Sequence, residues 1–137
     1  MGHIRPSSIP FASFMLLVKK KDGTLYMCID YWAPNKKTLK NRYLIPHIYE
    51  FMDELRGDKY FSKIDLHSGY HQICIREQDI PKTTFHYHYG HFKFLVMHFG
   101  LNNTLATFES CMNHVSHGQL RCFLLVFFND ILIYSRT

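Results

Sequence analysis

Short apolar runs separated by turn residues dominate the first part of the chain. Ile9 to Lys21 reads as a loop running into an apolar strand, Phe14 to Val18. Lys19, Lys20 and Lys21 follow, and Asp22-Gly23 is a hairpin-turn signal with Leu25 to Tyr31 as the return strand. Pro34 to Pro46 is polar and basic, without a period, and reads as an irregular connection. Pro46 then opens a helix: Ile48, Phe51, Met52 and Leu55 recur at helical spacing, and Gly57 ends it.

The pattern then returns to strand character. Tyr60 to Leu66 is a strand with Asp65 near its end, Gly69 marks a bend, and Tyr70 to Ile75 reads as extended. Phe85 to Tyr89, Gly90, and Phe92 to Met97 predict a second hairpin. Asn103 is a helix N-cap, with Leu105, Phe108, Met112 and Val115 on one face of the following helix. Phe123 to Phe128 and Ile131 to Tyr134 are two apolar strands around the acidic turn Asn129-Asp130. The order is hairpin, helix, strand, hairpin, helix, hairpin. It predicts an α+β fold, a mainly antiparallel sheet with packed helices, in one domain without an internal repeat.

Composition narrows the class. Of 137 residues, 47% are apolar and 16% aromatic, which is enough to build a core and argues against disorder. The formal net charge of +5 suits a polyanionic partner but does not single one out. Cys28, Cys74, Cys111 and Cys122 form no C-x-x-C pair and sit in apolar stretches, so buried, reduced thiols are expected. Residues 1–10 lack the apolar core of a secretory signal. The longest apolar run, Cys122 to Phe128, is strand-length, well short of the roughly 18 residues of a membrane span.

Two carboxylates stand out among the candidate chemistry. Asp65 ends an apolar strand and Asp130 sits at the tip of an apolar hairpin. Phosphoryl-transfer enzymes use such a pair to hold divalent cations, and magnesium takes oxygen ligands of this kind. Hairpin-tip Asp residues are also common turn formers, so Asp130 alone says little. The Lys19–Lys21 run and the Lys36 to Arg42 stretch would reach phosphates as mobile point charges, or would simply be solvated. His86 and His88 share a strand face, with His91 nearby, but no Cys or acidic residue completes a zinc set at nearby spacing. Serine-hydrolase, zinc-protease, P-loop and dinucleotide fingerprints are absent.

Several long stretches resemble one family in series. SSIPFASFMLLVKKKDG, YFSKIDLHSGYHQI at Tyr60 to Ile73, EQDIPKTTF, YGHFKFLVMHFGL and NDILIYS are similar, in order and spacing, to gypsy-type LTR-retrotransposon reverse transcriptases. The resemblance covers nearly the whole chain. It implies the fingers and palm of that fold, truncated before the thumb, with fingers at about 9–58 and palm with part of the fingers at about 59–137. It also implies RNA- and DNA-templated DNA synthesis by two-metal phosphoryl transfer, with Mg2+ as cofactor and a template-primer and dNTP as partners.

By the same resemblance Asp65 is the first metal-binding Asp, and Leu66 offers a backbone carbonyl near the metal. Asp130 is the second Asp of the Y-x-D-D turn. Lys20 meets the triphosphate. Tyr70 lies under the nucleotide sugar and excludes ribonucleotides. Phe99 and Gly100 line the incoming nucleotide. Intact elements of this type work in cytoplasmic particles and the nucleus, and fragments lodge in organelle genomes, notably plant mitochondria, so either origin is open.

The departures bear on activity. The Y-x-D-D turn reads Phe127-Phe128-Asn129-Asp130, so Asn129 stands where the first Asp of the pair belongs. The amide is isosteric but neutral, and a weaker ligand for a hard dication. Tyr26 stands where the family has a triphosphate-gripping Arg, and a phenol supplies neither the charge nor the fork of donors. Trp32, His67, His86 and His88 occupy positions of Arg or similar residues. Pro34 replaces Leu, His98 and Leu105 replace Pro, and Asn102-Asn103-Thr104 replaces Thr-Asn-Ala. Most of these changes are each reachable by one transition in a codon, the signature of unselected, deamination-damaged DNA; the coding sequence tests this directly. The expectation is a polymerase relic with little or no activity and with exposed apolar surface on its final strands. The alternative is a non-catalytic nucleic-acid-binding module.

Overall fold

The structure is a computed structural model that describes residues 2–43 and 47–137. In chain order the elements are β1 (Ile4–Pro6), β2 (Ser13–Lys19), β3 (Leu25–Ile29), α1 (Trp32–Lys37), α2 (Ile48–Glu54), β4 (Tyr60–Asp65), β5 (Phe85–Tyr87), β6 (Gly90–Phe94), α3 (Thr104–Val115), β7 (Leu124–Phe127) and β8 (Asp130–Ser135). Short 3-10 turns occupy Gly69–Gln72 and Ile80–Thr83. The elements form two compact units, each assembled from two stretches of chain: Met1–Lys40 with Tyr70–Thr104, and Asn41–Gly69 with Leu105–Thr137.

The first unit is a five-stranded sheet in the order β1-β6-β5-β2-β3, antiparallel except where β2 runs parallel to β5. The β2–β3 hairpin closes as its sequence predicts. The Asp22 carboxylate accepts the Thr24 N–H at 2.9 Å and its hydroxyl at 2.6 Å, and Gly23 takes φ +85. The core is Ile29, Tyr31, Phe85 and Phe94, with Met15, Met27, Ile75, Phe92 and Leu101 against it. The Tyr31 hydroxyl is satisfied by the Thr83 carbonyl at 3.0 Å.

Two expectations fail in this unit. The start of the supposed irregular connection is the helix α1. The Asp30 carboxylate accepts the Trp32 N–H at 3.0 Å, and Pro34 falls in the first turn, where its missing N–H leaves no bond unmade. The stretch after Gly69 is not extended from Tyr70 onward: it coils as a 3-10 turn that buries Tyr70, and only Cys74 pairs in a strand-like way, with Val96.

The second unit is a three-stranded antiparallel sheet, β4-β8-β7. Phe51 of α2 joins Leu125 and Tyr134 in its core, with Leu55, Phe127 and Leu132 packed around them. The Phe51 and Phe127 rings meet edge to face at 5.6 Å. Pro46, expected to open α2, lies outside the described residues.

The apolar face of α3 is rotated from expectation. Leu105 and Val115 are exposed, and the buried positions are Thr104, Ala106, Phe108 and Glu109. In this unit the strand with exposed apolar surface is β4, at Tyr60, Phe61 and Ile64, while the final strands are half-buried or buried, because α2 and the core it builds pack on β7 and β8. The cysteines are free, but Cys74, Cys111 and Cys122 are exposed and Cys28 half-buried. Apolar neighbours in sequence do not decide which side of an element meets the core.

Candidate active site

β4 ends at Asp65, β8 begins at Asp130, and the antiparallel register sets the two opposite each other. Directly opposed residues share a sheet face, with Cβ atoms about 4.5–5.5 Å apart. Asp130 is therefore not the tip of its hairpin. The tip is Phe128-Asn129, closed by the Phe127–Asp130 pair. Phe128 has φ 53 and Asn129 is not among the positive-φ residues. That pattern is the primed two-residue turn which usually has glycine first. A left-handed phenylalanine costs about 1–2 kcal/mol, and the surrounding bonds hold it there. The Asn129 carbonyl accepts the Leu66 N–H at 3.0 Å, and the Leu66 carbonyl accepts the Gly69 N–H at 3.1 Å. Gly69 is needed at this point: a Cβ would come within 3.1 Å of the Phe108 ring and 3.2 Å of the Leu66 Cβ.

Two further groups complete the site, and neither was singled out from the sequence. Lys63 lies two residues before Asp65, hence on the same face of β4, and its Nζ is 2.8 Å from Asp130 Oδ2. The neighbouring Asp130 carboxylate raises the pKa of this ammonium. The alternation of β4 was the signal that would have found it. Glu109 of α3 is buried, at 1% exposure. One of its oxygens accepts the Phe128 N–H at 3.3 Å and the other has no partner. Burial raises its pKa, and the Phe128 N–H opposes this in part. No pattern in the sequence separates Glu109 from an exposed helical glutamate.

The groups next to Asp65 are oxygen donors: the Asp130 carboxylate opposite it and the carbonyl of Leu66 that follows it, while the side-chain oxygen of Asn129, beside Asp130 in the turn, is buried without a partner. Hard divalent cations take such ligands. Among the described residues no three His, Cys, Asp or Glu side chains gather as a metal group. His86 packs against His91 at 5.2 Å instead.

The remaining candidates lie in the first unit, in two places. Lys20 and Tyr26 are on the β2–β3 hairpin, with the Lys20 Nζ 5.6 Å from the Tyr26 ring centroid. Tyr70 and Phe99 pack ring to ring at 4.3 Å; Tyr70 is buried and Phe99 exposed. Gly100 follows at φ +100, where a Cβ would touch the Ile29 carbonyl oxygen and the Tyr31 ring, each at 3.4 Å. Beside them His98 is buried, 4.2 Å from the Phe94 ring, with Nδ1 unpartnered, and burial lowers its pKa. Among the described residues, no helix is long and apolar enough to cross a membrane.

The family model described as reverse transcriptase (RNA-dependent DNA polymerase) matches residues 18–137. An RNA-directed DNA polymerase homolog of Oenothera berteroana is 46% identical over 112 residues, covering 82% of this chain and 79% of its own length. The retrovirus-related Pol polyprotein from transposon gypsy of Drosophila melanogaster is 34% identical over 142 residues; the match takes in 99% of this chain but only 14% of that polyprotein. Among solved structures, a foamy viral protease-reverse transcriptase in complex with RNA/DNA hybrid superimposes with a TM-score of 0.88 at 22% identity, over 99% of this chain and 18% of that one.

Proposed function

The chain belongs to the reverse transcriptase family, as a homologue of retrotransposon Pol proteins, and we propose that it is a degenerate member which no longer polymerises. The observation that carries this reading is the turn beside the paired carboxylates. Asp65 and Asp130 face each other across β4 and β8, and the neighbouring position is the neutral Asn129. The ancestral activity is templated addition of a nucleotide to a primer 3′ end. Mg2+, when bound, would supply Lewis-acid stabilisation of the attacking and leaving oxygens. Asp65, Asp130 and the Leu66 carbonyl would hold it, and the oxygen-only donor set fits such an ion.

With Asn129 the site has two carboxylates in place of three, so its affinity for a second dication falls. The electrostatic stabilisation lost is of the kind that weighs most in catalysis. A deficit of several kcal/mol slows the reaction tenfold for each ~1.4 kcal/mol. Tyr26 compounds the loss: Lys20 remains on that hairpin to meet a triphosphate, but its neighbour offers a phenol where a guanidinium would grip. Tyr70 and Phe99 would lie against the sugar and base of a dNTP. The proposed division is fingers at about 9–58 and palm with part of the fingers at about 59–137. The return of the chain to the first unit at Tyr70–Thr104 supports the second part of that division, whereas α2, at 48–54 within the first part, packs in the second unit with β7 and β8. A nuclear copy would be translated in the cytoplasm, and an organelle-encoded one in the mitochondrion.

The test is primer extension on poly-rA/oligo-dT with Mg2+ or Mn2+. The native chain, an Asn129→Asp, Tyr26→Arg double revertant and an Asp65→Ala control are compared. Extension by the revertant alone supports the reading. Extension by the native chain, lost in the Asp65 control, overturns it.

A second reading rests on a different observation. The β2–β3 hairpin exposes Leu16, Leu17, Val18, Leu25 and Tyr26 beside Lys19, Lys20 and Lys21. Such a basic, apolar surface suits phosphate contacts and base stacking without catalysis.

A further inference from the structure

We propose that Lys63 is a built-in counter-cation of the Asp65–Asp130 pair, an ammonium that occupies the place a divalent cation takes and so sets the affinity of the site for metal. The proposal rests on the reading of Asp65 and Asp130 as metal ligands. Lys63 is paired in register with Leu132, one same-face position from the Asp65–Asp130 pair. It reaches Asp130 along the diagonal, a span of about 7–8 Å that a lysine stem covers, and closes to 2.8 Å on Oδ2.

The charge balance explains why an ammonium belongs there. Two carboxylates directly opposite one another on adjacent strands repel, and Asn129 brings no further charge. The single positive charge of Lys63 offsets that repulsion while no metal is bound. A dication taking the Asp130 oxygen that Lys63 holds would displace the ammonium, so the ion and Lys63 compete for that carboxylate. The lysine side chain is 61% exposed and that of Asp130 41%, so the exchange needs a rotation into solvent and no opening of the sheet. Lys63 is thus a positioning residue that competes for the ligand.

The experiment is direct Mn2+ binding to the full chain, read from the electron paramagnetic resonance signal of the free ion, with circular dichroism to verify folding. Lys63→Met keeps the stem and removes the charge, and is expected to tighten Mn2+ binding by about twofold to fivefold. Lys63→Gln is the second variant should Met perturb the edge strand. Lys63→Arg is expected to bind as the native chain does. Lys59→Met removes a charge just before β4 and is expected to change nothing. Equal or weaker binding by both neutral Lys63 variants overturns the proposal, as does an equal gain in Lys59→Met, which would make the effect one of net charge. In those cases loss of binding in Asp65→Ala leaves the metal-ligand reading standing. If Asp65→Ala in the Lys63→Met background binds Mn2+ undiminished, the ligand reading fails and takes the role of Lys63 with it.

Discussion

The buried carboxylate of Glu109 accepts the backbone N–H of Phe128, at 3.3 Å, in the turn that precedes Asp130. A group from the middle of α3 thereby steadies the one residue of the turn whose φ, at 53, is unfavourable for its side chain. The arrangement has a cost, since the second carboxylate oxygen is buried without a partner.

Burial holds the Glu109 pKa above its ordinary value, so the fold favours the neutral acid. This contribution to stability is fully present below the unfolded carboxylate range and is lost as pH rises through the folded value. Glu109→Gln keeps an acceptor for Phe128 and removes the charge. It is expected to be more stable than the native chain by about 1 kcal/mol at pH 8, with the difference shrinking toward pH 4. Urea denaturation at the two pH values measures this, and an equal difference at both would show that charge is not the cause.

His98 carries the opposite sign. Burial lowers its pKa, so the folded chain favours the neutral ring, and the unfolded chain takes up the proton first on acidification. Stability should therefore fall as pH drops below the ordinary histidine value of about 6.5. His98→Leu, set against Phe94, should flatten that part of the profile. Thermal melts between pH 7.5 and 5 compare the two chains, and parallel profiles would assign the acid sensitivity elsewhere.

Gly100→Ala places a methyl group at φ +100 and 3.4 Å from the Ile29 carbonyl oxygen and the Tyr31 ring. The expected loss is about 1–3 kcal/mol. Gly69→Ala, at 3.1 Å from the Phe108 ring, should lose a similar amount through overpacking. Gly118→Ala, with open space around its Cβ, is the control expected to change little. Denaturant midpoints of the three variants decide the matter.

If the β2–β3 hairpin binds single-stranded nucleic acid, the affinity is set by phosphate contacts and falls with salt at a slope of about −0.7 per phosphate neutralised. Replacing Lys19, Lys20 and Lys21 by Ala should weaken binding to every sequence alike and lower the slope by about 2. Fluorescence anisotropy of a labelled oligonucleotide across a salt series reads both quantities. An unchanged slope would remove the hairpin from the interface.

The sequence by itself determined the three hairpins, the helices α2 and α3, the β2–β3 turn and the family, because turn residues, alternation and long motifs are local features; it missed β1, α1 and the 3-10 turn at Tyr70. It also marked Asp65 and Asp130 as unusual carboxylates, and Asn129 as a lost charge between two known neighbours. The tertiary structure alone decided what depends on register and rotation. The pairing of Asp65 with Asp130, the reach of Lys63 to Asp130, the buried side of α3 and the contact of Glu109 with Phe128 all join residues distant in the chain or on faces that periodicity leaves open. The physical reason is the same in each case: an element's period says that one side is buried, while packing against other elements chooses which side and which partner.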